Sequence, residues 1–173
     1  MGEIKNTFDK LADTVGGTAG KMKASGTTHA DTFVAEAAIG NLYEIAASSI
    51  ALTRSASPEL QAFARRMIED HTTATHQLES ALETNETRGV APPEKGLGAR
   101  RQSMVKHLKE APDDAFDETF LDQQVLAHEE TVSLMRSYRD EGDNPQLRSV
   151  AAGALPVFHR HLDHVKQLRR DFA

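Results

Sequence analysis

Apolar residues recur at three- and four-residue spacing along four long stretches of this chain, and alternating runs of β-branched residues are missing. That spacing lines one face of a helix and cannot line one face of a strand, so an all-α fold is expected. Ala, Leu, Glu, Gln and Arg dominate the same stretches, and these side chains lose little freedom in a helix. At 173 residues the chain is long enough for one sizeable core.

The first long helix is expected from about His29 to Ser55, with Asp31 as its cap. It shows two adjacent rows: Phe33, Ala37, Gly40, Ser48, Ala51 and Val34, Ala38, Leu42, Ile45, Leu52. Ser57 and Pro58 then restart the chain as a cap followed by proline at the first helical position. The second helix carries Leu60, Phe63, Met67, Ala74, Leu78 and Ala81, and fades between Asn85 and Gly89. Ala91, Pro92, Pro93 and Gly96 mark a loop, after which Leu97 to Lys109 has room for only a short helix. Asp113 or Asp114 is expected to cap a third long helix with Phe116, Phe120, Leu121, Val125, Val132 and Met135 inward, ending near Gly142. Asn144 and Pro145 open the fourth, whose stripe of Leu147, Val150, Ala154, Phe158, Val165 and Leu168 continues through Pro156, where a kink is expected.

Laying the second half of the chain on the first aligns Asp31-Thr32-Phe33 with Glu118-Thr119-Phe120, and Ser57-Pro58-Glu59-Leu60 with Asn144-Pro145-Gln146-Leu147. The matches fall on helix starts and hairpin turns, as two copies of one helical hairpin would place them. Two hairpins joined by a long crossover give a four-helix bundle of ferritin-like connectivity over residues 29–173, with a simple up-down-up-down bundle as the alternative.

The stripes are interrupted by histidine. His71 falls between Met67 and Ala74, His128 between Val125 and Val132, and His161 between Phe158 and Val165. Each occupies a core position on a different helix, and Glu44 continues the first row of the remaining one. Neutral imidazoles and a carboxylate in a core are costly unless satisfied, and they are ready ligands for zinc, iron or a similar divalent ion. The expected metal set is therefore Glu44, His71, His128 and His161, with Asp70 and His164 as further candidates. By helix height His161 lies about one turn farther from the Asp143 turn than His128 does. The other reading is a structural or protein-interaction bundle whose polar layer is held by hydrogen bonds alone. His76, His107 and His159 are expected on the surface, and His29 at a helix start.

No Glu-x-x-His occurs, which argues against a dinuclear iron centre of the ferritin type. Cysteine is absent, so disulfides, thiolate nucleophiles and Cys-ligated metals are excluded. No Gly-x-Ser-x-Gly elbow is present, and Gly16-Gly17-Thr18-Ala19-Gly20 lacks the Lys-Ser/Thr context of a phosphate loop. No catalytic residue is assigned. The net charge of -6 and the acidic residues beside Arg100, Arg101, Lys106 and Lys109 point to a solvated face, not a nucleic-acid groove. No apolar run reaches the ~20 residues of a membrane span.

Residues 1–28 stand apart as an N-terminal extension. Ile4, Phe8, Leu11 and Val15 sit at helical spacing ahead of the glycine-rich stretch, giving an amphipathic helix that could dock on the bundle or on another subunit of a homo-oligomer. Glu3, Lys5, Asp9 and Lys10 exclude a secretory apolar segment there, so the cytoplasm is the expected location.

Phe33-Val34, Glu44-Ile45, Met67-Ile68-Glu69-Asp70-His71, Phe116-Asp117, Phe120-Leu121, Ala127-His128-Glu129 and Leu155-Pro156 followed by His161 resemble, in that order, a bacterial family. It is the domain of unknown function 4142, a ferritin-like group often labelled "predicted outer membrane protein". The resemblance spans about Ala30 to Arg169 and implies a ferritin-like bundle with Glu44, Asp70, His71, His128 and His161 as its polar core positions. It brings no established activity; metal handling or stress response is the expectation drawn from the site. Many relatives carry secretion signals, from which the opening of this chain departs.

Overall fold

The computed structural model describes residues 2–93 and 95–172; Met1, Glu94 and Ala173 lie outside the described residues. Six helices follow in order: α1 (Gly2–Ala24), α2 (Ala30–Arg54), α3 (Pro58–Leu82), α4 (Gly98–Glu110), α5 (Phe116–Glu141) and α6 (Pro145–Asp171), with 3-10 turns at Asn85–Thr87 and Asp113–Ala115. No strand occurs among the described residues.

The two hairpin turns are built alike. Ser57 Oγ accepts from the Leu60 amide at 3.3 Å, and Asn144 Oδ1 accepts from the Leu147 amide at 3.1 Å, each followed by proline in the first turn. Each cap satisfies one of the amides that a helix start leaves unpaired. The resulting hairpins, α2–α3 and α5–α6, pack as a square, α2 against α5 and α3 against α6. The core between them is lined by Phe33, Leu60, Met67, Phe120, Leu147 and Phe158, all fully buried or nearly so.

The crossover decides the connectivity. α4 packs along α2 and brings the chain back to the end where α2 finishes. There Arg54 donates to the carbonyls of Leu108 and Lys109, both at 3.1 Å, and of Ala111 at 2.9 Å, pairs with Asp113, and lies 4.4 Å over the Phe116 ring. A cation is thereby set on the carbonyls that end α4, where the helix dipole favours it. α5 then starts beside the end of α2 and finishes beside its beginning, where the Asp143 amide donates to Thr28 O at 2.9 Å. The bundle is two hairpins with one long crossover, not an up-down-up-down chain.

Several local expectations are corrected. The cap of α2 is His29, without a side-chain bond, while Asp31 accepts from the Ala91 amide at 2.9 Å and ties down the crossover. Asp113 and Asp114 belong to a 3-10 turn, and α5 begins after Ala115. Leu42, expected inward, is 37% exposed and lines an apolar cavity of about 740 Å³ between α2, α3 and the crossover loop. α6 runs on through Pro156 as one helix, in keeping with its apolar stripe.

The glycine-rich stretch does not end α1. Gly17 and Gly20 face α5, where added Cβ atoms would lie 3.0 Å from Leu126 and 2.5 Å from Glu130 Oε2. Absent side chains let two backbones approach, and α1 uses this to lie along α5 and α4. A buried polar network fastens it there. Asp13 accepts from Gln123 Nε2 at 2.7 Å and from His107 Nδ1 at 2.9 Å, and Tyr43 donates to Gln123 Oε1 at 3.0 Å. His107 is therefore half-buried, not a surface residue. Arg101 is not solvated either: it is 3% exposed, pairs with Glu130 at 3.0 Å and sits 4.6 Å over the Tyr43 ring.

Candidate metal centre

His71 on α3, His128 on α5 and His161 on α6 meet inside the bundle, with exposures of 0%, 0% and 5%. Their ring centroids form a nearly equilateral triangle with sides of 5.5, 5.6 and 5.8 Å. The offset in height between His128 and His161 is closed by the lean of the side chains. On antiparallel helices each Cβ tilts toward its own N-terminus, which carries His128 away from the Asp143 turn and His161 toward it.

One nitrogen of each ring is committed to an acceptor. His71 Nδ1 lies 2.9 Å from Asn41 Oδ1, His128 Nδ1 lies 2.9 Å from Gln124 O, and His161 Nε2 lies 2.8 Å from Asp70 Oδ2. Carbonyl and carboxylate oxygens only accept, so these nitrogens carry the protons. The other three nitrogens, His71 Nε2, His128 Nε2 and His161 Nδ1, are buried and have no hydrogen-bond partner. One ligand nitrogen from each ring falls within 4.8 Å of the other two.

Burial disfavours the charged form of two of the rings, His71 and His161. It pushes the His71 imidazole well below its usual range, helped by the neighbouring His128 and His161. Burial and His128 likewise lower His161 to about 4, against the opposing pull of Asp70. Phe158 stacks on His71 with centroids 4.8 Å apart, and Phe63 stands 6.5 Å from His128. Three ring nitrogens are thus buried without a partner in one polar layer, an arrangement that is costly unless a cation or proton satisfies them.

The remaining sequence candidates take other positions. Glu44 is 1% exposed, and its Oε2 accepts from Gln124 Nε2 at 2.6 Å. Its Oε1 lies 3.6 Å from His128 Nδ1, behind that ring, and Glu44 is outside the group that shares the 4.8 Å separation. Burial raises its carboxyl above the ordinary range, with His128, Gln124 and Arg101 opposing. Asp70 orients His161 from a half-buried position. His164 is exposed, its ring edge-on to Phe63 at 5.4 Å, and lines with Arg66, Asp70, Arg160 and His161 a groove of about 390 Å³ that reaches the layer from outside. The larger apolar cavity under the crossover shares no residue with the layer.

The model of the domain of unknown function DUF4142 matches residues 16–168, nearly the whole chain. The chain belongs to this family. A search of curated proteins returns no match. The fold is similar to the solved structure of CopM in its Cu(II)-bound form, with a TM-score of 0.67 and 18% identity, over 85% of this chain and 99% of that one. The DUF4142 match begins inside α1 and runs through all three histidine helices, so it takes in the whole polar layer.

Two residues of this DUF4142 layer escaped the reading of the sequence. Asn41 and Gln124 are 4% and 0% exposed and supply the acceptors for His71 and His128. The signal for Asn41 was available: Ala37, Asn41, Glu44 and Ser48 form a four-three-four row on α2, and all four are buried. Gln124 precedes His128 by one helical turn, but the contact uses its backbone carbonyl, which carries no sequence signature.

Proposed function

We propose that this chain is a metal-handling protein that holds one divalent first-row ion on His71, His128 and His161, with copper favoured. The reading is carried by three buried ring nitrogens that lack any hydrogen-bond partner, on three histidines each of which brings a ligand atom within 4.8 Å of the others. A polar layer serving only to specify packing would have its nitrogens paired, so the orphans favour the metal over the structural reading. Neutral imidazoles suit copper, zinc, iron and nickel, and copper stands highest in the intrinsic affinity order. The CopM likeness supports the same ion, since that protein is Cu(II)-bound, whereas nothing speaks for zinc or iron in particular.

The hydrogen bonds fit this role. An acceptor on the far nitrogen fixes the tautomer and raises the basicity of the ligating one. Three neutral ligands leave the ion's charge uncompensated, and the nearby carboxylates of Asp70 and Glu44 offset it through His161 and His128. Water or an exogenous ligand would supply whatever further donors the ion required. Carrying or buffering the ion is the function this arrangement supports.

The test is titration of tag-free protein with Cu(II), Zn(II) and Fe(II) against a competing chelator, beside His71→Ala and His128→Ala. One equivalent of Cu(II), bound more tightly than the other ions and weakened at least a hundredfold by either substitution, is expected. Two equivalents, or affinity indifferent to both substitutions, would overturn the assignment.

A further inference from the structure

α1 lies on the bundle with its polarity reversed. Its small and polar face, with Asp13, Gly17 and Gly20, is turned toward α5 and α4, while Ile4, Phe8, Leu11, Val15 and Met22 stand 59–71% exposed. These account for five of the seven large apolar side chains exposed among the described residues. Soluble chains scatter such residues singly, and a contiguous line of them marks a contact surface.

The spacing tells what the surface fits. Ile4, Phe8, Leu11, Val15, Thr18 and Met22 follow one another at intervals of four, three, four, three and four, an unbroken heptad seam. A strict 3.5-residue repeat is the narrow seam by which one helix interlocks with another. Thr18 adds no unsatisfied group, because its hydroxyl donates to Thr14 O at 3.0 Å. The seam is about 27 Å long at 1.5 Å per residue.

Charge argues against a lipid surface. A helix that lies on an anionic membrane presents lysines beside its apolar face. On α1 every lysine is drawn to an acidic partner on the bundle: Lys5 to Glu110 at 2.7 Å, Lys10 to Glu118 at 3.0 Å, Lys21 to Glu129 at 3.1 Å, and Lys23 to Glu36. The outward stripe is uncharged, and an uncharged seam is complementary to itself.

We propose that α1 pairs with α1 of a second copy of this chain, so that the protein is a homodimer joined through the two seams. One helix face per subunit is a small interface, so a weak dimer whose population depends on protein concentration is expected. The proposal is independent of the metal, since no residue of the seam touches the histidine layer.

Sedimentation velocity of the full chain over a concentration series, with and without Cu(II), tests it. A monomer–dimer equilibrium is expected, shifted by at least tenfold in Leu11→Gln and abolished in Phe8→Glu/Val15→Glu, with the thermal melt of both variants unchanged below the dissociation constant. A chain that stays monomeric at several hundred micromolar, or a dimer that survives both variants, overturns the proposal. So does a monomer that floats with phosphatidylglycerol-containing vesicles, which would assign the seam to a membrane.

Discussion

Acidification of the metal-free protein is expected to cost stability well above the pH at which its carboxylates titrate. An imidazole in the unfolded chain takes up a proton near ~6.5. His161 in the folded chain does so only at about 4, because burial and His128 disfavour its charged form. The unfolded state therefore binds more protons throughout that window. The contribution of His161 is complete above ~6.5 and is lost as the pH falls toward 4. Between pH 7 and pH 5 the linkage relation gives a loss of about 2 kcal/mol from His161 alone, and His71, lowered for the same reasons, adds in the same direction. Glu44 works against this. Its carboxyl is raised by burial, so the folded chain gains a proton there before the unfolded chain does. Glu44→Gln removes that offset while leaving Gln124 an amide oxygen to donate to. Urea unfolding of Glu44→Gln in chelator should show its midpoint fall by about 1 M from pH 7 to pH 5, taking ~2 kcal/mol per M for a chain of this size. A midpoint that stays flat would mean that the imidazoles are not buried neutral, and the reasoning about the three unpartnered ring nitrogens would fail with it.

Asn41→Ala removes the acceptor of His71 Nδ1 without touching a proposed ligand, and metal affinity should fall by ~10–100-fold in a chelator competition. Asp13→Ala leaves His107 Nδ1 without its partner at the α1 seat, so hydrogen exchange should accelerate in α1 while α3 and α6 keep their protection. Two glycines should respond to alanine with opposite signs in thermal melts. At Gly153 in α6 an added Cβ meets nothing within 4 Å, and ~0.5–1 kcal/mol should be gained; at Gly20 it would strike Glu130 Oε2 at 2.5 Å, and stability should drop.

The bundle was legible where the sequence states its own boundaries. Ser57-Pro58 and Asn144-Pro145 combine a capping side chain with a fixed φ, and both turns form at those residues. Asp31, Asp113 and Asp114 look equally like caps, yet a carboxylate is free to bond elsewhere. Asp31 bonds to the crossover, and Asp113 bonds to Arg54 across the end of the bundle. Such partners are far away in sequence, and no local pattern announces them. The use of the glycine stretch was hidden for a related reason. Only against α5 do the missing side chains of Gly17 and Gly20 acquire a purpose, letting the helix sit close.

The three histidines were legible because a polar residue in an apolar stripe violates the pattern around it. What the pattern left open was which nitrogen of each ring faces the centre, and that depends on neighbours from other elements. Asn41 on α2 orients His71 on α3, and Asp70 on α3 orients His161 on α6, so two of the three rings are set by packing between helices. His128 alone is oriented from within its own helix. A slip of α2 along α3 would release the His71 ring, and a slip of α3 along α6 would release His161. Ligand geometry and bundle packing are thus one constraint. An ion bound to all three nitrogens would tie α3, α5 and α6 together, and the helices would in turn hold the ligands in place.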